Sequence, residues 1–116
     1  MFKKQFRLTR DKEFDLVFKS GLSSYSKILV IKAITTALDN NRFGIMVGLK
    51  VSKKAVDRNR IKRKIREVLK QYNEKILNSY DIVVIALPAI KTADYKEIES
   101  SISFSLKRLR LLNKKE

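Results

Sequence analysis

The chain has 116 residues, 44% of them hydrophobic, which is enough for one globular domain with a modest core and too few for two. With 27 Lys and Arg against 12 Asp and Glu, its formal charge is +15, and such a surface attracts polyanions, nucleic acid first among them. The sequence contains neither Cys nor His, which excludes disulfides, thiolate metal sites and the usual general base.

Nothing in the sequence suggests a membrane protein. No apolar run approaches the roughly 20 residues that a membrane-spanning helix requires. The N-terminal Met1-Phe2-Lys3-Lys4 leads into charged residues instead of the apolar core of a signal peptide. We therefore expect a cytoplasmic protein with no membrane partner.

The first predicted element is a helix from about residue 9 to residue 20. Thr9 is suited to cap its N-terminus, and Gly21 is suited to end it in the left-handed conformation. Phe14 and Phe18 are four residues apart and lie on one helix face. They either belong to the core or form a platform on which bases stack, and the spacing alone does not separate these alternatives.

Two strands are predicted next, at about 23–36 and 42–51. The first is rich in β-branched residues and too continuous to be half exposed, so its second face, which includes Val30 and Lys32, should be partly apolar. The second alternates large apolar side chains with smaller ones, and its glycines allow a close approach. Because a short turn joins the two strands, we expect them to pair antiparallel.

A helical period follows. It predicts a central basic helix over about 52–77, then a buried strand over 80–87 that Pro88 stops, and a last helix over about 94–112. The central helix is long enough to be a crossover that returns the next strand parallel to its predecessor. The predicted order is thus α-β-β-α-β-α, an α+β fold in which helices pack against a mixed sheet.

An apolar stripe on the central helix determines which of its side chains face outward. Ile61, Ile65 and the apolar residues that follow at helical spacing must face the sheet. At about 100° per residue, one flank of the stripe carries four cations and one neutral amide, namely Asn59, Lys62, Arg63, Arg66 and Lys70. Arg60 and Lys64 fall on the far side.

A run of charges like this one is often only a solvated face. Here Lys53 and Lys54 extend the run and the whole chain shares its sign, which favours an anionic partner. Arginine forks pair with phosphate oxygens, lysines add point charges, and an asparagine amide can contact a base edge or a 2′-hydroxyl. A structured RNA explains this mixture.

Carboxylates could provide a nuclease site without histidine, by holding a metal ion. Asp11 and Asp15 share a helix face, and Glu97 and Glu99 lie near the start of the last helix. Charges at these positions also favour the helix dipole or solubility, so we predict no catalytic residue and no metal site on the protein. The sequence has no G-x-x-x-x-G-K-[ST] phosphate loop.

The segment 47–67, "VGLKVSKKAVDRNRIKRKIRE", resembles the signature of the bacterial ribonuclease P protein component, a strand ending in V-G-L-x-V-S-K-K followed by a helix with A-V-x-R-N-R-x-K-R. The segments "EFDLVFKSG" and "YDIVVIALP" are similar to the family's first-helix and later-strand patterns, so the resemblance covers nearly the whole chain. Many members have a glycine-containing insert between the positions of Lys54 and Ala55. Members also commonly have an aromatic residue where this chain has Lys32, which leaves Tyr25 as the aromatic residue of that strand.

The resemblance implies an α-β sandwich similar to one domain of a ribosomal protein, with a left-handed β-α-β crossover against the usual right-handed rule. It implies the protein subunit of a ribozyme that removes the 5′ leader from precursor tRNA. The RNA subunit would perform the hydrolysis with bound magnesium, and the protein itself would hold no cofactor and no small-molecule substrate. The implied partners are the catalytic RNA and precursor tRNA.

By matching positions, the resemblance implies two groups of site residues. The RNA-subunit group comprises Lys53, Lys54, Arg58, Asn59, Arg60, Lys62, Arg63 and Arg66. The leader group, which would hold the single-stranded 5′ leader in a cleft, comprises Phe14, Phe18, Val30 and Lys32.

The sequence alone leaves three alternatives open. A structural RNA-binding protein of the ribosomal type has the same charge and size, an autonomous nuclease would need a carboxylate site, and a basic membrane-surface protein would need a free amphipathic face. A leader-dependent effect on precursor tRNA would separate the first alternative from a ribozyme subunit.

Overall fold

Three α-helices and four strands make up the fold in the computed structural model, which describes residues 3–77 and 79–112. The helices are α1 (Asp11–Ser20), α2 (Ala55–Tyr72) and α3 (Tyr95–Arg108). The strands are β1 (Leu22–Tyr25), β2 (Leu29–Thr35), β3 (Arg42–Met46) and β4 (Tyr80–Ala86). Short 3-10 helices lie at Lys4–Phe6 and Pro88–Thr92.

The strands form one mixed sheet in the order β1-β2-β4-β3. β2 pairs antiparallel with β1 and with β4, whereas β3 pairs parallel with β4. Since α2 connects β3 to β4, the predicted crossover between parallel strands is confirmed, and so is the α+β class. The hand of the crossover stays a prediction.

The predicted long strand at 23–36 is wrong, because this segment is a β-hairpin of β1 and β2. The backbone N–H and the hydroxyl of Ser26 both donate to the carbonyl of Leu29 at 2.9 Å, which closes a turn over residues 27–28. The predicted pairing of this segment with 42–51 is also wrong, because β4 lies between β2 and β3. The observed order is therefore α-β-β-β-α-β-α.

The start and end of α1 also differ from the prediction. Thr9 does not cap the helix; instead, the Glu13 carboxylate accepts hydrogen bonds from the backbone N–H groups of Thr9 and Arg10 at 3.2 and 3.1 Å. Gly21 has an extended backbone with φ of −77°, so it does not end the helix in the left-handed region. A side chain does not fit at Gly21, because a Cβ there would lie 2.5 Å from the carbonyl oxygen of Val17.

The other boundaries lie inside the predicted ones. β3 ends at Met46, and a turn closed by a 3.1 Å hydrogen bond from the Val51 N–H to the Gly48 carbonyl takes up the rest of the predicted strand. α2 is shorter than 52–77 at both ends. α3 is capped by Asp94, whose carboxylate accepts from the Glu97 N–H at 2.8 Å, and it ends before residue 112.

The main core lies between one face of the sheet and the two helices α2 and α3. The predicted stripe of α2 is buried there, at Ile61, Ile65, Val68 and Leu69, and Ile98, Ile102 and Leu106 of α3 are buried beside it. Each fully buried aliphatic side chain contributes roughly 1.5 to 3 kcal/mol. Burial of the stripe therefore determines which side of α2 faces solvent.

The helix α1 packs on the opposite face of the sheet. Val17 is fully buried against Val83, and Phe14 and Phe18 are half-buried around them. The ring of Phe14 occupies the space over Gly44, where a Cβ would lie 2.5 Å from the ring. Gly44 thus permits the close approach predicted for this strand.

A network of ion pairs connects α1 to the sheet. The Arg42 guanidinium donates to both carboxylate oxygens of buried Asp81 at 2.8 and 2.6 Å and to the Glu13 carboxylate at 2.5 Å. The hydrogen bonds to Asp81 raise the pKa of Arg42. Partial burial opposes ionisation of Glu13, but hydrogen bonds from two backbone N–H groups and from Arg42 outweigh it and lower the pKa of this carboxyl.

Replacing Glu13 with Gln should lower the free energy of unfolding at neutral pH by about 1 kcal/mol, because a charge-assisted hydrogen bond at a partly exposed position is lost. Since folding lowers the pKa of Glu13, its contribution is present above the ordinary carboxyl pKa of 4.5 and is lost as the pH falls through the lower folded-state pKa. Urea unfolding followed by circular dichroism should therefore show a weaker dependence on acid for Glu13→Gln than for the wild type.

Asp15→Asn is the matched control for this measurement, because Asp15 is exposed on the same helix. It should retain the wild-type dependence on pH. Identical acid profiles for Glu13→Gln and the wild type would mean that the Glu13 carboxylate does not stabilise the packing of α1.

Candidate nucleic-acid interface

The outward side of α2 carries the predicted RNA-subunit group. Asn59, Arg60 and Arg63 are exposed, Lys62 and Arg66 are half-buried beside the stripe, and Lys53 and Lys54 are exposed directly before the helix. Within residues 3–77 and 79–112, α2 forms one ion pair, between Arg60 and Asp57 at 3.6 Å. Most of these cations therefore face solvent without a carboxylate partner.

Arg58 differs from the rest of this group, because it is half-buried and also holds the chain that leads into α2. Its guanidinium donates to the carbonyl of Ser52 at 3.0 Å. The Ser52 hydroxyl donates to the Asp57 carboxylate at 2.9 Å and accepts from the Lys54 N–H at 3.2 Å. These bonds fix the first turn of α2, and they use only part of the Arg58 guanidinium.

The predicted leader group lies together on the face of the sheet that α1 partly covers. In the strand register, Val30 and Lys32 point to the same side as Val83, over which α1 packs. The ring centroids of Phe14 and Phe18 are 6.4 Å apart at this surface. The Lys32 ammonium donates to the Ser23 hydroxyl of β1 at 3.1 Å, which holds a positive charge at the surface.

An apolar row that the sequence does not predict continues this surface beyond α1. Tyr25, Val30, Ile85 and Met46 are register partners across β1, β2, β4 and β3. Tyr25 is 64% exposed and Met46 is exposed as well, so the row is open to solvent at both ends. Alternation in each strand predicts which side chains share a face, but the row depends on the strand order, which no local signal gives.

The RNA-subunit group and the leader group lie on opposite faces of the sheet, because α2 and α1 pack on opposite sides. The connection from β3 to α2 leads from one face to the other. The chain leaves β3 after Met46 to reach α2, and Met46 is also the β3 member of the apolar row. β3 is the outermost strand of the sheet, and a bridge between Arg7 and Phe43 covers part of its outer edge.

The acidic residues are dispersed. Asp11 and Asp15 of α1 are exposed, and within 3–77 and 79–112 no group of three or more carboxylate side chains is arranged to hold a metal ion. Within residues 3–77 and 79–112, no helix is both long enough and apolar enough to cross a membrane.

A family model for ribonuclease P matches residues 2–110 of the chain. The chain belongs to the ribonuclease P protein family. The ribonuclease P protein component of Streptococcus pyogenes serotype M5 (strain Manfredo) is 38% identical to it over 112 residues, which are 97% of this chain and 92% of the relative. The resemblance drawn from residues 47–67 is thereby confirmed.

Solved structures of ribonuclease P proteins have the same fold. A Staphylococcus aureus RNase P protein mutant with defective mRNA degradation activity superimposes with a TM-score of 0.87 and 33% identity, over 94% of this chain and 92% of that one. The RNase P protein from Thermotoga maritima gives a TM-score of 0.79 and 31% identity, over 88% of this chain and 96% of that one. The family's fold therefore extends over nearly the whole chain.

Arg63→Ala should weaken binding to a bacterial ribonuclease P RNA, because Arg63 is exposed in the middle of the cationic face of α2. If the side chain neutralises one phosphate, the slope of log K against log salt should flatten by roughly 0.7 to 0.9. Equilibrium binding over a series of salt concentrations measures this slope.

Lys107→Ala is the matched control, because Lys107 is an exposed cation near the C-terminal end of α3. It should keep a slope close to that of the wild type. An unchanged slope for Arg63→Ala would exclude Arg63 from the interface.

Proposed function

We propose that this chain is the RNA-binding subunit of a ribonuclease P ribozyme, which binds the catalytic RNA through α2 and the 5′ leader of precursor tRNA through the opposite face. The observation that carries the proposal is the division of α2 into a buried apolar stripe and an exposed cationic face. The fold needs the stripe, whereas among the cations of the RNA-subunit group it is Arg58 whose hydrogen bond supports the fold. A polyanion laid against them would relieve their mutual repulsion.

The RNA subunit would be bound mainly through its phosphates. Each arginine or lysine that neutralises a phosphate releases counterions, so the affinity should fall steeply with salt. Asn59 is the neutral member of the cationic face, and its amide can both donate to and accept from a base edge or a 2′-hydroxyl. In this proposal Arg58 supports the helix start and has N–H groups left for a phosphate.

The leader would lie on the surface formed by α1 and the sheet. Phe14 and Phe18 border this surface, and the exposed ring of Tyr25 offers a base a face for stacking. Lys32, held by Ser23, offers an ammonium to a leader phosphate in the middle of the surface. In this chain a base of the leader would therefore stack on Tyr25 of β1, and a phosphate of the leader would pair with Lys32 of β2.

In this proposal the RNA subunit performs the hydrolysis with magnesium that the RNA binds, and no protein residue acts in catalysis. The protein contributes by neutralising phosphates where the two RNAs meet and by holding the leader. Endonucleolytic removal of the leader would give the mature 5′ end of tRNA. The partners are thus the catalytic RNA and precursor tRNA, with no small-molecule substrate.

Cleavage of a precursor tRNA with a 5′ leader tests the proposal, at near-physiological magnesium, with the protein alone, a bacterial ribonuclease P RNA alone, and both together. We expect much faster cleavage with both. Cleavage by the protein alone would overturn the assignment of the chemistry to RNA. The reaction with protein alone should also include an mRNA substrate, because the name of one Staphylococcus aureus relative refers to mRNA degradation activity. No stimulation by the protein would favour a structural RNA-binding role.

Tyr25→Ala should reduce the preference for precursor over mature tRNA by about tenfold, a typical value for one lost base–aromatic stack. The melting temperature should not change, because the Tyr25 side chain is 64% exposed. Phe18→Ala should reduce the preference and also lower the melting temperature, because Phe18 packs against the buried cluster of Leu8, Val17 and Val83. Binding titrations with both tRNA forms and thermal unfolding measure the two effects.

Tyr95→Ala is the matched control, since Tyr95 is an exposed tyrosine at the start of α3, on the other side of the sheet. It should leave the preference unchanged. A wild-type preference in Tyr25→Ala would remove Tyr25 from the leader surface. If Phe18→Ala is destabilised but keeps the preference, Phe18 is only a core residue.

A further inference from the structure

Two aliphatic side chains are exposed where the chain passes from β3 into α2. Val56, in the first turn of α2, is 71% exposed and is the most exposed large hydrophobic residue of the described ranges. Leu49, in the turn closed between Gly48 and Val51, is 68% exposed. Val51 lies between them in sequence and is buried, so this connection already has its anchor in the core.

Val56 belongs to the outward side of α2. Asn59 and Arg60 follow it at i+3 and i+4, and Arg63 follows at i+7, so these side chains are its neighbours on the helix surface. Lys53 and Lys54 precede it, and Lys50 is adjacent to Leu49 in the turn; all three lysines are exposed. The exposed neighbours of these two residues, in sequence or on the helix surface, therefore include cations and an amide.

Folding does not account for these two residues. A β-branched residue in an exposed helix position is less favourable for the helix than alanine. An exposed leucine in a turn contributes no core contact. Burial of both side chains against a partner would be favourable, because it removes apolar surface from water.

The charge around these residues indicates the chemistry of that partner. Five exposed cations are neighbours of the two residues in sequence or on the helix, namely Lys50, Lys53, Lys54, Arg60 and Arg63, and their density favours a polyanion over a protein surface of mixed charge. In RNA, the apolar surfaces that a side chain can reach are the faces and sugar carbons of unpaired nucleotides, which are splayed out in loops and bulges. A regular duplex offers mainly phosphates and hydroxyls.

We propose that Leu49 and Val56 form an apolar contact for an unpaired nucleotide of the catalytic RNA, with the surrounding cations on the phosphates beside it. This inference rests on the proposed function and adds to it a contact that does not depend on salt. The cations would supply affinity for any RNA, and the apolar contact would favour a folded RNA with an extruded base at this position.

The test compares Leu49→Ser, Val56→Ser and the double variant with the wild type in binding to a bacterial ribonuclease P RNA over a series of salt concentrations. The double variant should bind about tenfold more weakly at every salt concentration, as expected for two aliphatic side chains that lose apolar burial. The slope of log K against log salt should be unchanged, because no charge is removed. Thermal unfolding should also be unchanged, since both side chains are exposed.

Leu22→Ser is the matched control, because Leu22 is 69% exposed but lies on β1, the edge strand farthest from β3. It should bind like the wild type. Wild-type affinity in the double variant would overturn the contact, and so would a loss of affinity accompanied by a changed salt slope. If the wild type itself fails to bind this RNA, the proposed function fails together with the contact.

Discussion

Burial of one side of α2 is the interaction on which the rest of the molecule depends. A chain with a formal charge of +15 repels itself, and α2 concentrates much of this charge on one helix. The helix stays on the sheet because Ile61, Ile65, Val68 and Leu69 are removed from water. The same burial sets the rotation of the helix about its axis, so the cations face outward as a consequence of the hydrophobic core and not of any contact of their own.

The opposite face of the sheet is organised differently, because a single short helix covers only part of it. α1 is held by the hydrogen-bonded carboxylates of Asp81 and Glu13 around Arg42, and by the ring of Phe14 over Gly44. In the row from Tyr25 to Met46, Val30 is buried and the two end residues are exposed. The candidate leader surface therefore combines side chains of α1 with the exposed ends of this row.

The sequence predicts local features of this fold well and long-range ones poorly. The stripe of α2, its outward cations and the buried strand β4 follow from periodicity, and the motif at 47–67 identifies the family. The hairpin is hard to predict because Lys27 and Ile28, at its tip, are not typical turn residues, and the one turn signal is Ser26, whose hydroxyl donates to the Leu29 carbonyl. The strand order was missed because β4 enters between β2 and β3 from a distant part of the chain. The start of α1 differs from the prediction because Arg10, not Thr9, precedes the first turn, and the Glu13 carboxylate reaches back to the N–H groups of both residues.

The placement of α1 and α2 on opposite sides of one sheet has a mechanical consequence. For two RNAs bound on the two faces, the sheet and its helices act as a spacer whose thickness is set by the side chains packed between the layers. Changes in the packing of α1 would move Phe14 and Phe18, and with them the leader surface, relative to the cationic side of α2. Substitutions in the residues beneath α1 would then change the alignment of substrate and ribozyme through the leader surface, while the cationic side of α2 stays the same.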